Sequence, residues 1–164
     1  MINALPPAIA LVNRPSLIIC DEPTTALDVS IQAQILAEMR ILARTLGTAM
    51  IWISHDLAVV SSLASRVLVM YAGRIVEAGH TSTVLSDPRH RYTAGLLGSL
   101  PSRSRPGEDL VQIPGASPSI FDLQPGCAFA PRCAHATDLC AIEPDETDTG
   151  LRRYRCHHPE GVSA

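Results

Sequence analysis

Leu17 to Cys20 is an unbroken apolar run bounded by polar residues, the pattern of a central parallel strand covered on both faces. After Asp28 the spacing becomes helical. Ile31, Ile35, Met39, Leu42 and Leu46 form one apolar stripe, which predicts an amphipathic helix with Asp28 as its N-cap and Gly47 as its terminator. Thr48 to Ser54, TAMIWIS, returns to strand-forming residues and predicts a second buried strand. Residues 17–54 therefore read as a strand–helix–strand unit with a right-handed crossover, which brings both strand C-termini to one sheet edge.

Asp56 suits the cap of a further helix through Leu57, Val60, Leu63 and Ala64. RVLVMYAGRIVEAG then reads as two short strands about an Ala72-Gly73 turn. Short helices are expected over Thr81–Leu85 and Arg91–Leu100, with Pro88 between them and Pro101 ending the second. Pro101 to Gly107, PSRSRPG, has the composition of a linker. Beyond it, five prolines lie between Pro114 and Pro144 and large aliphatics are few. Such a segment cannot bury enough apolar surface to fold unaided, and needs a metal or a domain to dock on.

Composition narrows the class. The chain has 164 residues, 46% hydrophobic and 18% charged, which is globular and not disordered. Its net charge of −3 supplies no electrostatic footprint for nucleic acid or an anionic membrane. No stretch is apolar enough for a spanning helix. The first residues lack a basic leader and carry Pro6 and Pro7, which argues against a secretion signal and for the reducing cytosol. All thirteen basic residues are arginine; lysine does not occur.

Ligands of open α/β sheets sit at the carboxyl ends of the strands. Asp21 and Glu22 end the first strand, and Ser54, His55 and Asp56 end the second. If the strands are neighbours, three groups suited to phosphoryl transfer converge. One carboxylate can hold Mg²⁺, the next can deprotonate an attacking water, and a histidine can stabilise charge on the transferred group.

LIICDEPTTALDVSIQAQIL, GTAMIWISHDLAVVSSLASRVLVMYAGRIVEAG and HRYTAGLLGSLP resemble the ATP-binding subunits of ABC transporters, specifically the oligopeptide/dipeptide importer branch. The resemblance implies a partial P-loop NTPase sheet with flanking helices over residues 1–100, a linker at 101–107, and a small irregular Cys-rich extension over 108–164. By it Asp21 is the Walker B aspartate that works with the magnesium of Mg-ATP, Glu22 the catalytic base, and His55 the switch histidine. Thr25-Ala26-Leu27-Asp28 matches the D-loop, which places Asp28 on the face toward a second ATPase subunit. Cys20 reads as a buried core thiol. The family's phosphate loop, Gly-x-x-x-x-Gly-Lys-Ser/Thr, is not in a sequence without lysine. Its glutamine loop and Gly-rich signature motif are missing too, and MINALPP does not fit the approach to Walker B. The expectation is a truncated fragment that alone neither binds ATP tightly nor hydrolyses it.

The tail carries Cys127, Cys133, Cys140 and Cys156, separated by five, six and fifteen residues, with His135, His157 and His158 nearby. Four thiols in a core-poor segment suggest a metal site. No Cys-x2-4-Cys knuckle is present and no ferredoxin spacing matches, so spacing leaves zinc and a [4Fe–4S] cluster both open. LQPGCAFAPRCAHATDLC with RRYRCHHPEG resembles the C-terminal extension of the peptide-importer ATPases, and that resemblance implies the cluster. Arg132 and Arg155 are expected to offset its charge, and His157 and His158 to stand off the metal.

Two functions follow as expectations. The first is the C-terminal half of an ATPase subunit that pairs with a second ATPase on the cytoplasmic face of transmembrane permeases, with no membrane span of its own and no nucleic-acid partner. The second is a non-catalytic iron–sulfur or zinc module derived from such a subunit.

Overall fold

The structure, a computed structural model, describes residues 13–24, 28–101, 111–119 and 121–161. Thr25, Ala26 and Leu27 of the D-loop match, the MINALPP segment and residues 102–107 of the expected linker lie outside the described residues. The chain divides into two compact units, Met1–Ala64 and Ser65–Ala164. Residues 65–100 and the Cys-rich segment thus share one unit.

In the first unit β1 (Leu17–Asp21) and β2 (Ala49–Ile53) pair in parallel, from Leu17 opposite Ala49 to Asp21 opposite Ile53. The helix α1 (Val29–Leu46) connects them. It ends as expected: Gly47 adopts a left-handed φ of 65° and Thr48 N–H returns to Ala43 C=O. Asp28 occupies the N-cap position, but its side chain makes no capping bond; its carbonyl accepts from Gln32 N–H instead. Ile35 and Met39 bury against Ile18 and Cys20, with Met50 and Trp52 packed on the same cluster. Cys20 is the core thiol expected, and burial pushes its pKa up.

The expectation that both strands are buried on both faces needs correction. Side chains alternate across a strand, and only the α1 side of the pair is covered. Leu17 and Ile19 are 48% and 62% exposed, and Ile51 and Ile53 are each 46% exposed. The α1 stripe is likewise buried only in its middle, since Ile31, Leu42 and Leu46 are exposed. The second helix α2 (Leu57–Leu63) starts on Asp56, whose carboxylate accepts from Ala58 and Val59 N–H as its cap role predicts.

The second unit is built on a four-stranded antiparallel sheet of order β3–β4–β6–β5. β3 (Arg66–Tyr71) and β4 (Arg74–His80) form the expected hairpin. Ala72 and Gly73 turn it with φ of 48° and 80°, the paired positive values of a tight hairpin turn. Helices α3 (Thr81–Ser86) and α4 (Arg91–Gly98) follow. The tail then adds β5 (Thr147–Asp148) and β6 (Arg152–Tyr154), β6 pairing with β4. Gly79 permits that approach: a Cβ there would meet Arg152 Cβ at 3.0 Å and Leu151 O at 3.1 Å.

Docking is therefore how the core-poor tail folds. Its Phe129 is 4% exposed and packs edge-on to Tyr71, with ring centroids 5.3 Å apart, and at 5.5 Å from Tyr92. Arg132 fastens the strap before it, donating to Pro114 C=O, Ile113 C=O and Ser117 Oγ while reaching Tyr71 Oη. Among the described residues no helix is long and apolar enough to cross a membrane.

Candidate functional site

The parallel register places the C-terminal ends of β1 and β2 side by side, and the expected groups meet there. Glu22 N–H closes the ladder onto Ile53 C=O at 3.0 Å. One residue past β1, Glu22 takes a φ of 43°, a left-handed conformation uncommon for a residue with a side chain. His55 Nδ1 stands 2.8 Å from Glu22 Oε1. Asp21 ends β1 opposite Ile53, and both it and Asp28 are exposed. Ser54 Oγ accepts from Asp56 N–H at 3.0 Å, holding the turn that delivers His55. The three expected groups, Asp21, Glu22 and His55, thus share one open sheet edge.

The Glu22 hydrogen bond, and then its negative charge, raise the His55 pKa above 6.5; desolvation lowers it and the Asp56 charge adds to the rise. The pair favours protonated His55, so its contribution to stability is complete below 6.5. That contribution is lost as pH rises through the higher folded-state value. A pH titration of the His55 ring resonance by NMR should give a pKa above 6.5, and Glu22→Gln should bring it back toward 6.5.

The second cluster lies in the tail. Cys127, Cys133, Cys140 and Cys156 all line one pocket, together with His90, Arg91, Phe129, Ala130, Pro144, His157 and His158. Short local turns set the first three cysteines. Cys127 N–H bonds Cys140 C=O at 2.9 Å, a 3₁₀ turn over Ala130–Arg132 delivers Cys133, and another over Asp138–Ala141 holds Cys140. Gly126 is required beside them. Its φ is 89°, and a Cβ would lie 2.4 Å from Cys140 O. Cys156 follows β6, placed by Arg155 N–H on Val76 C=O.

All five cysteines are free. Burial raises the pKa of Cys127, with the nearby backbone N–H groups of Phe129 and Ala130 pulling the other way. Cys156 is likewise raised by burial, opposed by the nearby backbone N–H groups of His158 and Arg91. Backbone amides near a sulfur favour thiolate, the ligand form.

Among the described residues no three His, Cys, Asp or Glu side chains gather closely enough to hold one metal ion. That placement supports neither of the expected occupants, zinc or a [4Fe–4S] cluster, over the other; a structural zinc needs four donors about a single point. In a [4Fe–4S] cluster each thiolate meets a different iron, so the sulfurs stand around a body and not a point. Cys127, Cys133, Cys140 and Cys156, free and on one pocket, have the donor chemistry such a cluster takes.

The arginine expectation also needs correction. Arg132 directs its guanidinium to the Ile113–Ser117 strap, and Arg155 faces Glu146 at 3.8 Å. Neither lines the four-cysteine pocket. Arg91 does, with its side chain on His158 C=O, Pro159 C=O and the Glu160 carboxylate. His157 Nε2 bonds Ile142 C=O and His158 Nε2 bonds Thr137 Oγ1, so both rings are engaged with their neighbours. Sequence reasoning passed over His90 and Arg91, which sit in a helix-start pattern far from the cysteines in the chain.

Residues 76–140 match the family model described as "Oligopeptide/dipeptide transporter, C-terminal region". The chain is 52% identical over 165 residues to a putative peptide import ATP-binding protein of Brucella ovis, covering 96% of this chain and 49% of that protein. It is 46% identical over 153 residues to the oligopeptide transport ATP-binding protein OppD of Escherichia coli, covering 93% and 45%. With the OppD of Mycobacterium bovis the identity is 51% over 159 residues, covering 95% and 26%. The chain thus spans about half the length, or less, of these relatives.

Proposed function

We propose, for a chain that belongs to the ATP-binding subunits of oligopeptide/dipeptide importers and corresponds to their C-terminal half, that its β1–β2 edge is the hydrolytic side of an ATPase site. The pairing of Glu22 with His55 at 2.8 Å beside Asp21 carries this reading. In it Asp21 holds the nucleotide's Mg²⁺ through water. Glu22 takes a proton from the attacking water, and His55 steadies charge on the γ-phosphate. Asp28 lies toward a second ATPase subunit. Peptide uptake through transmembrane permeases, from the cytoplasmic face, follows from the same family reading.

The uncovered face of β1 and β2 supports a further packing layer over the pair. Parallel strands are normally covered on both sides, and here Ile19, Ile51 and Ile53 are not. A sequence with no lysine lacks the phosphate-loop lysine. The 164 residues alone should therefore show no ATP turnover. Combined with the phosphate-loop half of a relative, they should hydrolyse ATP; a combined chain that binds nucleotide and stays inactive would remove the assignment.

The four-cysteine pocket is read as the seat of a [4Fe–4S] cluster, which would cross-link a segment otherwise held by docking. Four free thiols on one pocket support this. Anaerobically purified protein should carry about four irons per chain and absorb in the visible. Stoichiometric zinc in colourless protein would overturn it.

A further inference from the structure

His90 belongs to neither the ATPase edge nor the cysteine set, yet it is 1% exposed and lines the four-cysteine pocket. Three contacts fix its ring and backbone. Its Nδ1 accepts from Tyr92 N–H at 3.0 Å, capping α4. Its backbone N–H is held by Glu77 Oε2 at 2.9 Å, and its ring packs 5.9 Å from that of Phe129. Because Nδ1 is an acceptor, the ring proton is on Nε2. Among the described residues that Nε2–H has no partner. Of the three pocket histidines, His157 and His158 have Nε2 engaged elsewhere.

We propose that His90 is a positioning residue that donates its Nε2–H to a sulfur of the cluster in the four-cysteine pocket and thereby raises the cluster's reduction potential. The proposal rests on the cluster reading above. A donor at sulfur stabilises the extra negative charge of the reduced form more than the oxidised one. No proton changes hands; the hydrogen stays on Nε2.

The test uses the full chain, purified anaerobically, with iron content, thermal midpoint and a one-electron titration with dithionite. His90→Asn keeps a capping acceptor for Tyr92 N–H but shortens the donor; His90→Gln keeps an N–H at comparable reach. With four irons retained, His90→Asn should lower the reduced-to-oxidised ratio at fixed potential about tenfold, or about 59 mV for one electron. His90→Gln should stay within about threefold of the parent, whatever either does to the thermal midpoint. An unchanged or higher potential in iron-replete His90→Asn overturns the proposal. If His90→Asn sheds iron, a tenfold fall in His90→Gln does so, as does loss of iron from both. A parent chain that takes up no iron removes the cluster reading itself and this proposal with it, a result distinct from the others.

Discussion

Glu22→Gln is expected to lower ATP hydrolysis by about 10²–10⁴-fold in the chain completed with a phosphate-loop half, with nucleotide affinity little changed. Glutamine keeps the size of the side chain and can still meet His55 Nδ1, now 2.8 Å from Glu22 Oε1. It cannot accept a proton from water. The loss should therefore fall on the chemical step, read as single-turnover hydrolysis at saturating ATP, while Kd stays constant. A change below threefold would show that Glu22 is not the base, and that its position past β1 serves only the turn. His55→Ala makes the complementary variant. It removes the partner that faces Glu22 and should also slow hydrolysis, whereas Asp21→Asn should act through magnesium and be relieved in part by raising the metal concentration.

The first unit was largely legible because local signals and tertiary packing agree in it. The helical stripe around Ile35 and Met39, the Gly47 terminator and the Asp56 cap all act over one or two turns. The convergence of Glu22 and His55 follows from a parallel register, which the strand–helix–strand order already implies. What could not be read there is coverage. An apolar strand such as LIIC reports what it can bury, not what this chain supplies to cover it, hence the exposed Leu17 and Ile19. In the tail the cysteines pointed to a metal site without fixing which, and their surroundings come from elsewhere in the chain. Cys156 reaches the pocket through a β6–β4 pairing across more than seventy residues. His90 and Arg91 arrive with α4, and Arg132, adjacent to Cys133, turns away because carbonyls of the Ile113–Pro114 strap offer it neutral acceptors. Sequence neighbours of a ligand are a poor guide to its shell wherever a docked loop does the surrounding.

Glu77→Ala should destabilise the second unit by about 3–5 kcal/mol, seen as a lower urea midpoint with an unchanged slope. Glu77 is fully buried in β4, a position where an isolated charge would not persist. Its two oxygens are occupied by Arg89 N–H at 2.8 Å and His90 N–H at 2.9 Å, with Arg152 Nη1 at 4.0 Å. Arg152 in turn donates to the Asp87 carbonyl and carboxylate. One carboxylate therefore fixes the loop before α4, and through Arg152 it ties that loop to β6, the strand leading to Cys156. Alanine strips partners from two amides and leaves a nearly buried guanidinium facing a gap. Glu77→Gln retains one acceptor but turns an amide donor toward a backbone N–H, and should cost less, about 1–3 kcal/mol. Because Arg89, His90 and Arg91 move with this loop, iron retention should, on the proposed cluster reading, follow the same order: parent, Glu77→Gln, Glu77→Ala. A Glu77→Ala protein that matches the parent in both midpoint and iron would show that the loop is held by Arg152 and the Phe129 aromatic contacts alone, and that the buried carboxylate is dispensable.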